Sequence, residues 1–262
     1  MPHIIITGGS SGIGLEVAKI YLGRGYRVSL IARRRGMLLT AARSLTGADL
    51  VTGGGVFIAS ADVSDEKELR EAIIAAEANH GPCDVLVASA GRVDPQEFDA
   101  QSADIFEAQL SVNFLGCVNA VRTVLKGMKK RASGHIMLVS SGAALIGIPG
   151  YSAYCASKSA LSSFGESLRI EVANAGVTVG VSFPPDTLTP QYEREIPLRP
   201  QAARRLMGAV APWPADQVAR KIVIGIDRGT AQVHFGPSLT LLSWFSAFIK
   251  PVLYRRLQRM QA

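Results

Sequence analysis

The sequence predicts an α/β fold: a doubly wound (Rossmann) sheet of seven parallel strands with helices on both faces, followed by an amphipathic helical tail. Three observations predict it. Short apolar runs alternate with segments of helical periodicity along most of the 262 residues, as in repeated βαβ units whose sheet is buried on both sides. The first apolar run opens directly into Gly8-x-x-x-Gly12-x-Gly14 and then a helical pattern, the order strand, glycine turn, helix of a nucleotide-binding unit. No low-complexity linker or internal repeat breaks the alternation, so residues 1–236 are expected as one catalytic domain and 237–262 as its tail.

The elements follow in order. Ile4-Ile5-Ile6 marks a strand at His3–Thr7, with a helix at 12–24. Strand Arg27–Ala32 precedes helix 35–46, strand Gly55–Ala61 precedes helix 65–79, and strand Val85–Ser89 precedes a long helical pattern at 102–131. Strand His135–Ser140 leads to helix 152–175, and helix 214–228 leads to the last strand, Gln232–Phe235. Between strand Thr178–Phe183 and helix 214–228 lies a stretch rich in Pro and Arg, read as a mobile lid over 184–210.

Composition bounds the chemistry. The chain is 48% hydrophobic, enough for a substantial core. Cys83, Cys117 and Cys155 are odd in number and unpatterned, which suggests a reducing compartment and a cytoplasmic location. His3, His80, His135 and His234 have no metal-ligand spacing, so no metal is expected. An apolar run starting three residues in is read as a first strand, with neither signal peptide nor N-terminal anchor before it. The net charge of +7 is clustered. Lys19, Arg24, Arg27, Arg33, Arg34, Arg35 and Arg43 form an acid-free stretch; Lys126, Lys129, Lys130 and Arg131 form a second group, and Lys250, Arg255, Arg256 and Arg259 a third. Such clusters suit a phosphorylated cofactor, an acidic carrier protein or an anionic membrane. Nucleic acid is not an expected partner, because no basic–aromatic interleaving or binding module is present.

The glycine turn is expected to hold a pyrophosphate. Gly8, Ser10, Ser11, Gly12, Ile13 and Gly14 bring backbone close to the phosphates at a helix N-terminus. An NAD site carries an acid at the end of the second strand, to hold the ribose 2′-hydroxyl. Here Arg33 and Arg34 follow Ala32, and arginines pair with a 2′-phosphate, so NADPH is the expected cofactor. Asp62 and Val63 would flank the adenine, and the small residues Ala90 and Gly91 would let a ribose lie close. Tyr154 and Lys158, four apart, share a helix face. An ammonium beside a phenol is expected to lower its pKa from about 10, making Tyr154 a usable proton donor and acceptor in carbonyl/alcohol redox chemistry.

With Ser141 thirteen residues before Tyr154 and Asn113 forty-one before it, these motifs resemble the short-chain dehydrogenase/reductase superfamily over residues 3–235. The resemblance implies that Tyr154 protonates the carbonyl oxygen, that Lys158 lowers the tyrosine pKa and bonds the nicotinamide ribose, and that Ser141 bonds the substrate oxygen. It further implies that Asn113 anchors a water leading to Lys158, and that Pro184, Thr187 and Thr189 lie at the carboxamide and phosphate end of the cofactor. Pro185 departs from the pattern, since the family has Pro-Gly there. Members pair through helices corresponding to 102–131 and 152–175, so a homodimer is expected.

In the tail, Leu241, Leu242, Phe245, Phe248, Ile249, Val252, Leu253, Leu257 and Met260 recur at helical spacing as one apolar stripe, flanked by Trp244 and Tyr254. The stripe is too short to span a bilayer. It suits either a helix lying in a membrane interface or one docked on its own domain or a second subunit, and Pro251 is expected to kink it. This tail and Pro184–Pro190 resemble the 3-ketodihydrosphingosine reductases, which implies a long-chain lipid ketone as substrate. A 3-oxoacyl thioester reductase docking a carrier protein on Lys126–Arg131 is the alternative enzyme, and a non-catalytic NADPH-binding sensor a more remote one.

Overall fold

A computed structural model describes residues 1–46, 54–208 and 211–259. Its main sheet comprises β1 (His3–Thr7), β2 (Arg27–Ala32), β3 (Val56–Ser60), β4 (Val85–Ala88), β5 (Gly134–Val139), β6 (Val177–Phe183) and β9 (Gln232–His234). The spatial order is β3-β2-β1-β4-β5-β6-β9, and every pairing is parallel. The order reverses between β1 and β4, which opens a crevice at the carboxyl ends of the strands. A small second sheet pairs β7 (Thr187–Leu188) with β8 (Trp213–Pro214).

Parallel strands need crossover helices, here α1 (Gly12–Gly23), α2 (Arg35–Thr46), α3 (Glu66–His80), α4 (Ala103–Leu110), α5 (Gly116–Arg131), α6 (Ser152–Glu171) and α9 (Ala215–Asp227). Strand side chains alternate between two cores. Ile4, Ile6 and Leu30 meet Val17 and Tyr21 of α1, Leu38 of α2 and Ile222 of α9. Ile5, Ile31 and Leu138 meet Ile73 of α3, Val121 of α5 and Leu161 of α6. The expected strands and the helices at 12–24, 35–46, 65–79 and 214–228 agree with the structure to within one residue at each end.

Three expectations need correction. The pattern at 102–131 is not one helix. A π-helical turn, Ser111–Leu115, separates α4 from α5, an insertion that hydrophobic periodicity does not register. The helix read as 152–175 ends at Glu171, and turns carry the chain through Gly176 at φ 66°. The lid is structured: α7 (Pro190–Glu195), a 3₁₀ turn at Ile196–Leu198 and α8 (Gln201–Met207). Residues 209 and 210 of that segment, Met260, and the side chains of Arg256, Leu257 and Arg259 lie outside the described residues.

The tail forms α10 (Gly236–Arg259). Phe245, not Pro251, leaves helical geometry, at φ −120° and ψ 25°. Pro251 removes the bond to the Ala247 carbonyl, and the bend falls less than a turn before that carbonyl.

Candidate active site

A cavity of about 710 Å³ sits over the carboxyl ends of the strands, between the glycine turn, the lid and α10. Its wall includes Gly8, Ser10, Ser11, Gly12 and Ile13, then Arg33, Arg34, Asp62, Val63, Ala90 and Gly91, and finally Ser141, Tyr154, Lys158, Pro184, Thr187 and Thr189. Two expected residues stand behind the wall. Gly14 closes the turn on itself, since a Cβ there would lie 2.8 Å from the Gly8 carbonyl oxygen. Asn113 is fully buried beneath Gly91.

The residues present fit a dinucleotide. Gly8 and Gly12 have φ of 71° and 58°, and a Cβ would come within 2.7 Å of the Ala90 nitrogen at Gly8 and 2.9 Å of the Thr189 methyl at Gly12. Only glycine gives this turn and its close approach. Ser11 enters α1 with extended backbone and makes no side-chain cap, so the first N–H groups of α1 point toward the cavity without a side-chain acceptor. Arg33 and Arg34 are exposed at the end of β2. Asp62 Oδ1 accepts from the Ser64 N–H and hydroxyl, and its Oδ2 lies 3.5 Å from Arg33.

Tyr154 and Lys158 sit one turn apart near the start of α6. The Ser141 hydroxyl, at the end of β5, is close enough to the Tyr154 hydroxyl to ease its pKa downward and accepts from the Ala143 N–H at 3.1 Å. The expected lowering of the tyrosine pKa by lysine is not what the structure shows. Burial raises the Tyr154 phenol above its ordinary value, Glu195 raises it further, and the nearby Ser141 hydroxyl only partly opposes them. Burial also lowers Lys158, whose ammonium donates to the Val139 carbonyl at 2.9 Å and lies 5.8 Å from the Tyr154 ring centre. Burial is the largest influence on both groups, and it favours the neutral phenol at Tyr154.

Asn113 is positioned by the π-turn. Its Oδ1 accepts from the Arg92 N–H at 2.7 Å, while Nδ2 donates to the Arg92 carbonyl at 2.9 Å and the Ser157 hydroxyl at 3.0 Å. The side chain thus ties the segment after β4 to α6, one residue from Lys158.

Sequence reasoning missed an ion cluster that secures the lid. Arg199, 4% exposed, bonds Asp186 through Nη1 at 2.7 Å and Nη2 at 3.1 Å, Glu195 through Nη2 at 2.7 Å, and the Tyr151 hydroxyl through Nε at 3.0 Å. Tyr151 in turn donates to Glu195 at 2.6 Å. Apart from the Arg199–Glu195 pair at i,i+4, these contacts join residues 13 to 48 apart with no periodic signature. The only hint was the density of arginine in the segment.

The tail folds back over the site. Leu239, Leu242, Ile249 and Leu253 line the cavity opposite Ile146, Ile148, Leu206 and Met207, and the Tyr254 hydroxyl accepts from the Gly147 N–H at 2.9 Å. The single expected stripe is in fact two faces. Leu241, Trp244, Phe245, Phe248 and Val252 point away from the cavity, exposed by 48–77%. Among the described residues no helix is long and apolar enough to cross a membrane.

Comparison with known proteins agrees with this geometry. The short chain dehydrogenase family model matches residues 2–197. A 3-ketodihydrosphingosine reductase of Bos taurus is 34% identical over 251 residues, 95% of this chain and 76% of that protein. The 3-dehydrosphinganine reductase TSC10B of Arabidopsis thaliana is 37% identical over 238 residues, 89% and 70% of the two chains. Among solved structures, levodione reductase superposes with a TM-score of 0.82 at 21% identity, covering 91% of this chain and 98% of its own. An actinorhodin polyketide ketoreductase variant with NADPH gives 0.81 at 25% identity, covering 91% and 97%. The protein is an oxidoreductase and belongs to the short-chain dehydrogenase/reductase family.

Proposed function

We propose that this enzyme uses NADPH to reduce the ketone of a long-chain lipid, 3-ketodihydrosphingosine, to dihydrosphingosine. One observation carries the reading: a single cavity has the glycine turn and two arginines at one end, Ser141 and Tyr154 in the middle, and apolar side chains of α8 and α10 at the other. Relatives at 34–37% identity bear the name of that reductase. NADPH is favoured over NADH because Arg33 and Arg34 flank the ribose end of the cavity and match a 2′-phosphate.

The reduced nicotinamide supplies the hydride when bound, held by Gly8, Ser10–Gly12, Ile13, Asp62, Val63, Ala90, Gly91, Pro184, Thr187 and Thr189. Ser141 donates to the substrate oxygen and shares the charge that develops there. Tyr154 delivers its proton to that oxygen, a role for which a neutral phenol is the required form. Lys158 and the Asn113–Ser157 bond fix Tyr154 and provide the path by which it regains its proton. Residues 1–236 act as the catalytic unit, 184–210 as its lid and 237–262 as a tail that completes the cavity. The outer face of α10 rests on the cytoplasmic face of a membrane, and two copies pair through α4–α5 and α6.

The thioester-reductase alternative is disfavoured by topology. Lys129, Lys130 and Arg131 end α5, and Arg131 bonds the Cys83 carbonyl just before β4. That is the amino edge of the sheet, away from the cavity.

Consumption of NADPH in the presence of 3-ketodihydrosphingosine tests the proposal. Turnover is expected, with Tyr154→Phe lowering kcat by ~10²–10⁴. Replacing Arg33 and Arg34 by Ala should shift the NADPH/NADH preference at least ~10-fold toward NADH. Turnover of acyl thioesters but not of the sphingoid ketone would reverse the substrate assignment.

A further inference from the structure

We propose that Glu195 is a substrate-recognition residue whose carboxylate pairs with an ammonium on the carbon beside the ketone, so that the enzyme selects α-amino ketones over plain ketones of equal length. The proposal rests on the sphingoid-ketone reading above, because that substrate carries a primary amine next to its carbonyl.

Glu195 ends α7 and lines the same cavity as Tyr154 and Ser141. Its hydrogen bonds from Tyr151 and Arg199 both arrive at Oε1. Among the described residues Oε2 accepts nothing, and it is not among the buried unpartnered atoms, so it remains reachable from the cavity. Arg199 cannot neutralise the wall. Its single positive charge is shared between two carboxylates, Asp186 and Glu195, leaving one net negative charge beside the catalytic tyrosine. The guanidinium is fully committed, with Nη1 and Nη2 on Asp186, Nη2 on Glu195 and Nε on Tyr151. A bidentate, buried arginine of this kind fixes the acids in place and holds the lid geometry before substrate arrives. The other cations lining the cavity do not compensate Glu195. Arg33 and Arg34 stand at the ribose end, Arg194 is exposed, and Lys158 is turned to the Val139 carbonyl.

Tyr151 places Glu195 near the catalytic tyrosine, since its hydroxyl donates to Glu195 at 2.6 Å and its ring centre stands 6.3 Å from that of Tyr154. After burial itself, the Glu195 charge is the strongest influence raising the Tyr154 phenol. Glu195 and Tyr154 thus stand on either side of Tyr151, neighbours as are the ammonium and carbonyl of an α-amino ketone. An ammonium docked on Glu195 cancels its field at Tyr154, which loosens the proton the ketone oxygen must receive. A plain ketone leaves that field in force.

The test compares kcat/KM for NADPH-driven reduction of two ketones, 3-ketodihydrosphingosine and the same 1-hydroxy-3-ketone chain lacking the amine, in the wild type and in Glu195→Gln. Glutamine keeps the length and an acceptor for Tyr151 and Arg199. The wild type should favour the amine by ~10–100-fold, the effect of one charge-assisted pair. Glu195→Gln should lose that preference in opposite directions, the amino ketone falling ~10-fold or more while the plain ketone holds or rises, because the charge that raised Tyr154 is gone. Equal losses on both ketones would make Glu195 a lid-structuring residue and overturn the proposal. Indifference of the wild type to the amine would overturn it too. Reduction of neither ketone by the wild type, with NADPH binding intact by fluorescence, would instead refute the sphingoid reading and the recognition role with it.

Discussion

His135 begins the central strand pair β5–β6 with its ring buried, Nδ1 on the Thr178 hydroxyl and Nε2 without a partner among the described residues. His80 closes α3 packed edge-on against His3 and Phe57, with neither ring nitrogen bonded. Burial lowers both, each to about 4, and at His80 the charges of His3 and Arg27 add to it. Their unfolded value is ~6.5, so between pH 6.5 and 4 the unfolded chain binds more protons. Stability contributed by the neutral rings is therefore complete above ~6.5 and is lost as pH falls toward 4. A depression of this size is worth on the order of 3 kcal/mol at His135. Urea denaturation should give a midpoint that drops steadily over that window. His80→Phe, which keeps the edge contacts and removes one titration, should flatten the slope. An unchanged slope would mean that His80 is solvated in the native protein. The catalytic residues were easier to read than these. Tyr154, Lys158 and Ser141 were legible because helix periodicity and strand-end position fix them locally. The protonation of Tyr154 was not, because it depends on burial and on Glu195, forty-one residues away and brought near only by the lid.

At the scale of elements, α10 has two jobs that a periodic pattern merges into one. Leu242, Ile249 and Leu253 face the cavity, while Leu241, Trp244, Phe245, Phe248 and Val252 face outward. Apolarity at i, i+3 and i+4 announces a buried face, but not how many faces, because residues 241 and 242 lie only about 100° apart. The π-turn at Ser111–Leu115 escaped for a related reason, since one inserted residue hardly disturbs a long apolar repeat. Trp244 and Phe248, with Lys250 and Arg255 nearby, are the composition of an interfacial helix. The full chain should therefore sediment with vesicles of anionic phospholipid. Changing Trp244, Phe248 and Val252 together to Ser should release it, with bound fraction falling more than ~100-fold, because each side chain gives up roughly 1.5–3 kcal/mol of burial. All three are 69–77% exposed, so thermal stability should stay within a degree or two. Vesicle binding unaffected by the triple change would separate α10 from the membrane.

For the whole molecule, the doubly wound parallel sheet was legible because seven apolar runs joined by helical crossovers leave few right-handed topologies. How copies associate is a surface property, and the sequence marks it only by analogy with relatives. The structure adds a physical reason. Leu115, at the end of the π-turn, and Ile170, near the end of α6, are 47% and 75% exposed, and Phe114 and Phe164 meet edge-on between them. The outward side of α6 carries Ser159 and Ser163, small enough for another helix to approach closely. Pairing of α4–α5 and α6 with a second copy would cover this surface and brace α6, the helix that bears Tyr154 and Lys158. Sedimentation velocity should give one species at twice the chain mass at micromolar concentration. Leu115→Asp places a charge on a side chain that one copy leaves half exposed. It should therefore yield a folded monomer with unchanged circular dichroism, and kcat should fall severalfold as α6 loses its brace. A wild-type monomer would refute the pairing, and a Leu115→Asp dimer would move the interface elsewhere on the surface.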